Sequence, residues 1–221
     1  MPNASHVKAE LRKYVDPEKA AFYPTFFKAG PGEYAEGDKF IGVTVPIQRR
    51  VAKRSPIHEH RLTALLILVE QYQQDESTHD VIVRCYLDNL NHVNNWDLVD
   101  ASAHKILGDW LLERPSEQHI LDDLAESGHL WRERVSVIAC LPFIKRGDFE
   151  WILELAEWFL DHDHDLIHKA VGWMLREMGK QDEPVLHGFL EAHAHTMPRT
   201  MLRYAIEKLP ERQRQQYLAR G

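Results

Sequence analysis

The chain has 221 residues, of which 44% are hydrophobic and 28% are charged, and its formal net charge is −7. A chain of this length and apolar content can bury a sizeable core, and we expect one domain over residues 1–221. The longest unbroken aliphatic run, Ala64 to Val69, is far too short to span a bilayer, and the amino terminus lacks an apolar signal segment. These features argue against a membrane protein and predict a cytoplasmic one.

The charges are unevenly distributed along the chain. Residues 109–165 include 14 acidic and 5 basic side chains, whereas residues 198–221 include 6 basic and 2 acidic ones. A basic surface can therefore coexist with an acidic total, and such a surface is typical of proteins that bind nucleic acid. On charge alone, a solvated charged tail is an equally good interpretation.

The glycine-rich segment 28–46 is predicted to be a long irregular connection. It lacks the Gly-Lys-Ser/Thr ending of a nucleotide-binding loop, so we do not expect ATP or GTP binding. A structural loop is the default interpretation, and a phosphate held by its backbone N–H groups is the alternative.

After residue 45, nearly every segment has apolar residues spaced three and four apart, which predicts an all-α protein. The connections between these segments are short, which indicates helical hairpins packed in series. Capping and breaking residues place the helix boundaries. Helix starts are predicted at Ser55, Ser116, Pro198 and Pro210, and helix ends at Gly128 and Gly179.

The stretch NNWDLVD, residues 94–100, places an indole and a carboxylate one helical turn apart on the same face. Asp97 suits the first turn of a helix, where a carboxylate can reach exposed backbone N–H groups. Asp100 lies beyond that turn and has no such explanation. Trp96 beside it, taken alone, is better interpreted as a core or boundary residue than as a binding platform.

A weak period links this stretch to two later ones. A charged residue follows a tryptophan by one turn at Trp96–Asp100, Trp131–Arg134 and Trp173–Arg176. Residues 96 and 134 are 38 apart and residues 134 and 173 are 39 apart, close to the length of a two-helix HEAT-type repeat. In such a solenoid, residues one period apart are neighbours, so we expect Trp96, Asp100, Arg134 and Trp173 to lie together. A chance match of spacings is the alternative.

The segment 167–180 predicts an amphipathic helix with two distinct sides. One stripe holds Lys169, Trp173, Arg176 and Glu177. The apolar side holds Ile167, Val171, Met174, Leu175 and Met178. Trp173 is therefore expected at the boundary of the core.

The histidine-rich stretches DHDHDLIH, residues 161–168, and AHAH, residues 192–195, raise the question of a metal site. Neither contains His-Glu-x-x-His spacing, the chain has no Cys-x-x-Cys pair, and the first stretch straddles a predicted helix start where Asp residues cap. We therefore expect no metal and no cofactor.

Five stretches resemble the DNA alkylation repair protein family, the AlkD-like DNA glycosylases. They are NNWDLVD, LWRERV, HDLIHKAVGWMLRE, PRTMLRYAIE and FFKAGPGEYAEGDKFIGV. The resemblance extends from about Phe22 to Glu207. It implies a HEAT-like helical solenoid that binds duplex DNA and excises positively charged N3- and N7-alkylated purines. The partner implied is double-stranded DNA with alkylated purines, bound by a monomer that is nucleoid-associated when on DNA.

The resemblance also implies roles for individual residues. Asp100 matches the catalytic carboxylate of the family, Trp96 and Trp173 match its aromatic walls, and Arg134 matches an arginine that clamps the DNA backbone. Further DNA contacts are assigned to Lys169, Arg176, Arg199, Phe26 and Thr44. One departure stands out, because the family usually has another helix between residue 53 and Ser55, where this chain is shorter.

The sequence is also compatible with two other functions. A non-catalytic member of the family would bind damaged or branched DNA without releasing a base, and the presence of both Asp100 and Arg134 argues against it. A HEAT-type scaffold would bind proteins, and it would need an acidic or apolar face rather than one that carries arginine.

Overall fold

The structure is a computed structural model that describes residues 9, 12–26, 31 and 58–220. The chain divides into two compact units, Met1–Ile67 and Leu68–Gly221. In the first unit, Asp16 precedes the first helix, and its Oδ1 accepts hydrogen bonds from the backbone N–H groups of Glu18 and Lys19 at 3.1 and 3.0 Å. The predicted single domain stays a prediction.

The described residues form helices and no strand, which confirms the predicted all-α fold. The α-helices are α1 Pro17–Phe26, α2 His58–Gln74, α3 His79–Leu87, α4 Trp96–Ala103, α5 Asp109–Leu112, α6 Ile120–Ala125, α7 Leu130–Ala139, α8 Leu141–Lys145, α9 Glu150–Trp158, α10 Asp165–Gln181, α11 Glu183–His193, α12 Arg199–Ala205 and α13 Glu211–Leu218. Short 3-10 turns lie at Glu76–Thr78, Leu90–His92 and Pro115–Glu117, and a π-helix, His104–Gly108, follows α4.

Most predicted helix boundaries within the described residues are confirmed. Pro198 and Pro210 are the N-caps of α12 and α13. Gly128 lies after the end of α6 with a φ of 62°, a left-handed conformation that glycine adopts without strain. Ser116 instead lies in a 3-10 turn, and the α-helix begins at Ile120. The predicted start at Ser55 lies outside the described residues.

The predicted helix end at Gly179 is wrong, because α10 continues to Gln181. Gly179 serves packing instead. A Cβ at this position would collide with the side chain of Leu186 in α11. The missing side chain therefore allows the two helices to approach closely.

The burial of α10 confirms the predicted apolar side of that helix. Its fully buried members are Ile167, Val171, Met174, Leu175 and Met178. Lys169 and Trp173 are only partly buried. The helix thus contributes one side to the core and leaves the stripe with Trp173 at the surface.

Four helices pack against one another in series and are called the helix row here. In the row, α4 packs against α7, α7 against α10, and α10 against α12.

Two glycines, Gly108 in the π-helix and Gly172 in α10, allow close approaches between backbone segments. A Cβ on Gly108 would collide with the carbonyl oxygen of Ala139 at the end of α7, and a Cβ on Gly172 would lie 2.5 Å from the carbonyl oxygen of Met201 in α12. The HEAT-type repeat assignment stays a prediction.

No helix in the described ranges is long and apolar enough to cross a membrane. The same residues contain no group of three or more His, Cys, Asp or Glu side chains that could hold a metal ion.

Candidate functional site

The start of α4 sets the directions of Trp96 and Asp100. Asn95 is the N-cap in an extended conformation, and its side-chain oxygen accepts a hydrogen bond from the N–H of Trp96 at 2.8 Å. Leu98 and Val99 are completely buried on the other side of the helix. The opposite face therefore leaves Trp96 54% exposed and Asp100 at the boundary of the core.

A cavity of about 330 Å³, called the row cavity here, lies against the helix row. It brings together residues from all four helices of that row. Its lining consists of Trp96, Asp100, Arg134, Leu166, Lys169, Trp173, Arg176 and Tyr204. The residues one period apart in the sequence, Trp96, Arg134 and Trp173, are therefore neighbours in the structure.

Arg134 holds the carboxylate of Asp100 with two hydrogen bonds. Its Nε donates to Oδ1 at 3.0 Å, and its Nη2 donates to Oδ2 at 2.8 Å. Its Nη1 donates to the backbone carbonyl of Leu166 in the first turn of α10. Arg134 is almost completely buried, and each of its three side-chain nitrogens donates one hydrogen bond to an acceptor of the protein.

Asp100 is the more exposed member of this ion pair. Its side chain is 19% exposed, against 5% for Arg134. Burial raises the pKa of Asp100 above its ordinary value, and the hydrogen bonds and charge of Arg134 oppose that shift. Both carboxylate oxygens accept from the guanidinium, which favours the ionised form. The site thus presents an oriented carboxylate to the cavity.

Aromatic side chains form much of the cavity wall. Trp173 donates from Nε1 to Glu177 at 3.0 Å, which fixes the plane of its indole. Tyr204 in α12 lies beside α10 because Gly172 leaves room for the Cβ of the tyrosine. The electron-rich faces of these rings and of Trp96 favour a positively charged ligand.

The remaining cations of the cavity also have acidic partners. The Nζ of Lys169 lies 2.7 Å from Asp165, one turn earlier in α10. Arg176 pairs with Glu207, which follows α12, and its Nη2 lies 3.7 Å from Glu177. The cavity therefore combines cationic side chains with carboxylates that already bind them.

A second cavity, of about 520 Å³, lies at the opposite end of the α4 and π-helix segment. His104, Lys105 and Lys145 are among its lining residues. Burial, together with the charges of Lys105 and Lys145, lowers the pKa of His104 to about 4. His104 is therefore neutral at physiological pH.

A protein-family model matches most of the chain. The model of the family described as DNA alkylation repair enzyme matches residues 7–209. The chain belongs to the DNA alkylation repair enzyme family. This membership indicates a function in the repair of alkylated DNA and, with it, DNA binding.

A solved structure with a similar chain comes from Enterococcus faecalis and is described as a predicted DNA alkylation repair enzyme. The identity is 19% and the TM-score 0.49, over 89% of this chain and 97% of that one. No curated protein matches the chain.

Not every residue expected to contact DNA lies at the row cavity. Arg199, at the start of α12, donates from Nη2 to the carbonyl oxygen of Leu218 at 3.0 Å and does not line the cavity. Phe26 ends α1, but its side chain lies outside the described residues, as does the whole of Thr44. The shortened segment before Ser55 lies outside them too.

Two residues of the row cavity, Tyr204 and Leu166, were not predicted from the sequence. Tyr204 lies within PRTMLRYAIE, so the resemblance of that stretch was a usable signal for it. Leu166 acts through its backbone carbonyl. The identity of a side chain carries no information about such a contact.

Proposed function

We propose that this DNA alkylation repair enzyme is a DNA glycosylase. It excises positively charged N3- and N7-alkylated purines from duplex DNA, as the first step of base excision repair. The observation that carries the proposal is the oriented carboxylate of Asp100, at the edge of a cavity walled by Trp96, Trp173 and Tyr204.

The chemistry of the lesion explains why one carboxylate is sufficient. A cationic alkylpurine is already a good leaving group, so the bond to deoxyribose breaks without a general acid. Positive charge develops on the sugar as the base departs. A carboxylate near 4 Å stabilises such a charge by up to about 4 kcal/mol at an effective dielectric of about 20. That value corresponds to roughly a thousandfold in rate.

Arg134 reduces the stabilisation of the sugar cation by Asp100, and it also orients the carboxylate. Its positive charge on the inner side of Asp100 reduces the field of the carboxylate, so the stabilisation is smaller than that upper value. In return, the two hydrogen bonds fix both oxygens, which keeps the carboxylate in place without reorganisation as the charge develops. The same carboxylate can accept a proton from the attacking water.

The phosphate-clamping role of Arg134 needs a modification. Three of its five N–H groups donate to acceptors of the protein, and the side chain is only 5% exposed. Burial therefore leaves little of this guanidinium open to a phosphate. We therefore assign Arg134 first to orienting Asp100, and we assign backbone contacts to Lys169 and Arg176, whose partners are more exposed.

The proposal is tested with a duplex that contains 7-methylguanine. Purified protein is incubated with the duplex under single-turnover conditions, and abasic sites are counted by strand cleavage in alkali. The expected result is base release by the native chain and none above background by Asp100→Asn. Release by both proteins at equal rates would remove Asp100 from the mechanism.

A non-catalytic DNA binder is the alternative, and the observation that favours it is that both oxygens of the partly buried Asp100 are already bound by Arg134. The two functions differ in one result. A protein that binds the 7-methylguanine duplex with salt-dependent affinity but releases no base is the binder. Absence of DNA binding at low salt would contradict both.

A further inference from the structure

Each cationic side chain of the row cavity is paired with a carboxylate of the same chain. Arg134 pairs with Asp100, Lys169 with Asp165, and Arg176 with Glu207. The first of these pairs is buried and belongs to the proposed chemistry. The other two lie at the rim, where DNA phosphates would approach.

The rim carboxylates are more exposed than the buried pair. The side chains of Asp165 and Glu207 are 54% and 46% exposed. Asp165 and Lys169 are both held in their charged forms. The hydrogen bond from Lys169 lowers the pKa of Asp165, with Thr200 contributing, and the same contact raises the pKa of Lys169. Both members of the Lys169–Asp165 pair are solvated, and ion pairs of this kind are weak and exchange readily. In the other pair, Glu207 is the solvated member and Arg176 is 17% exposed.

We propose that Asp165 and Glu207 are specificity-determining residues that reject intact DNA and favour a cationic lesion. The inference rests on the proposed function, because it assumes that DNA binds at the row cavity. An intact phosphate backbone has to displace each carboxylate from its cation and then remain near it. A cationic alkylpurine is instead attracted by the same carboxylates.

The expected effect of each carboxylate on DNA affinity follows from Coulomb repulsion between its charge and that of a phosphate. At about 6 Å in water, a carboxylate weakens phosphate binding by about threefold. Two such carboxylates give about tenfold when their effects add. The positive charge of the lesion offsets part of this penalty. Removing the carboxylates should therefore help intact DNA more than damaged DNA.

The two residues differ in what else they do. Asp165 begins α10, where an acidic residue also stabilises the helix through its dipole. Glu207 follows the end of α12 and has no such role. Glu207→Gln is therefore the cleaner variant, and Asp165→Asn provides an independent second one. Neither residue lines the cavity itself.

A matched control removes a carboxylate from a similar ion pair elsewhere. Glu113 lies 2.6 Å from Arg146, both side chains are exposed, and neither lines the row cavity. Glu113→Gln changes the net charge by the same amount as Glu207→Gln. Any effect of total charge on DNA binding therefore appears in the control as well.

The experiment measures Kd for two duplexes over a range of salt concentrations. One duplex is intact. The other carries 2′-fluoro-7-methyl-2′-deoxyguanosine, a cationic lesion whose glycosidic bond resists cleavage. We expect Glu207→Gln and Asp165→Asn each to bind intact DNA about threefold more tightly, with a smaller gain for the lesion. Each phosphate newly neutralised should also steepen the slope of log K against log salt by about 0.9.

The outcomes separate this inference from the proposed function. If native protein binds DNA in a salt-dependent manner and the folded variants bind intact DNA no better than Glu113→Gln, the specificity role is wrong and the proposed function stands. Equal gains for intact and damaged duplexes also overturn the specificity role. If neither the native chain nor any variant binds DNA at low salt, both proposals fail.

Discussion

Arg134 and Asp100 meet side by side, with Nε and Nη2 of the guanidinium directed at Oδ1 and Oδ2 of the carboxylate. This arrangement joins α7 to α4 across 34 residues of sequence. Two parallel hydrogen bonds between a planar cation and a planar anion fix distance and orientation together. The pair therefore couples the geometry of the proposed site to the stability of the fold.

Asp100→Asn should reduce base release from a 7-methylguanine duplex by at least about a hundredfold. The amide keeps the shape of the side chain but loses the charge that stabilises the sugar cation. DNA affinity should change little, because Asp100 does not contact phosphate. Gel-shift or anisotropy titration beside the release assay checks this, and a parallel loss of affinity would point to misfolding.

The same substitution should lower the free energy of unfolding by up to about 3 kcal/mol, because it leaves the buried Arg134 charge without its anionic partner. Urea denaturation of native and Asp100→Asn proteins measures the difference. Unchanged stability would mean that the ion pair contributes nothing to the fold.

Arg134→Lys should slow base release by more than tenfold although the charge is kept. A lysine cannot reproduce the planar pair of donors, so the Asp100 carboxylate loses its fixed orientation. Arg134→Ala should reduce base release, DNA binding and stability together. A lysine variant with native rates would show that charge alone is sufficient at this position.

Trp96→Ala should weaken excision with little effect on stability, since more than half of this side chain is already exposed. The loss of one aromatic wall should cost about tenfold in single-turnover rate, from a cation–π contribution of about 1 kcal/mol or slightly more. Trp158, which is 57% exposed and does not line the cavity, provides the control. Trp158→Ala should leave the rate unchanged, and equal losses in both variants would contradict the prediction.

His104 should make the fold less stable in mild acid. Its folded pKa, about 4, lies below the ordinary value of 6.5, so the folded state binds fewer protons than the unfolded state between these limits. The stabilising contribution is complete above pH 6.5 and is lost as the pH falls toward 4. Urea unfolding at several pH values gives the free energy of unfolding as a function of pH. Between pH 4 and 6.5 this free energy should depend less steeply on pH in His104→Gln than in the native protein. Equal dependence on pH in the two proteins would contradict the prediction.

The range of lesions should follow charge rather than size. Trp96 and Tyr204 leave the row cavity open at the surface, so a bulky group on a cationic N7 adduct need not fit inside a closed pocket. Duplexes with 7-methylguanine, a bulkier cationic N7 adduct and uracil are compared. We expect release of both cationic purines and no release of uracil. Uracil release would indicate a pocket that reads a flipped base.

The sequence was informative where burial repeats with a period. Apolar spacing of three and four predicts α10 and its buried side, because only one face of a packed helix is removed from water. The spacing of 38 and 39 residues places Trp96, Arg134 and Trp173 together for a similar reason, since packed hairpins bring equivalent positions side by side.

Other features depend on contacts that leave no pattern in the sequence. The carbonyl of Leu166 accepts from Arg134 whatever its side chain is. A glycine such as Gly179 is typical of a helix end, yet the close packing of Leu186 against it overrides that local preference. The pair of Arg176 with Glu207 joins residues 31 apart, which only the packing of α10 against α12 can bring together.

The three-way contact of Arg134 also has a mechanical consequence. From α7, this one side chain is bonded to Asp100 in α4 and to the backbone of Leu166 in α10. The angles between these three helices are thus locked at the point where the chemistry is proposed to occur. A change in these angles breaks part-buried hydrogen bonds. A duplex that docks here has to supply the deformation itself, so stretches of DNA that bend easily should be repaired faster than stiff ones.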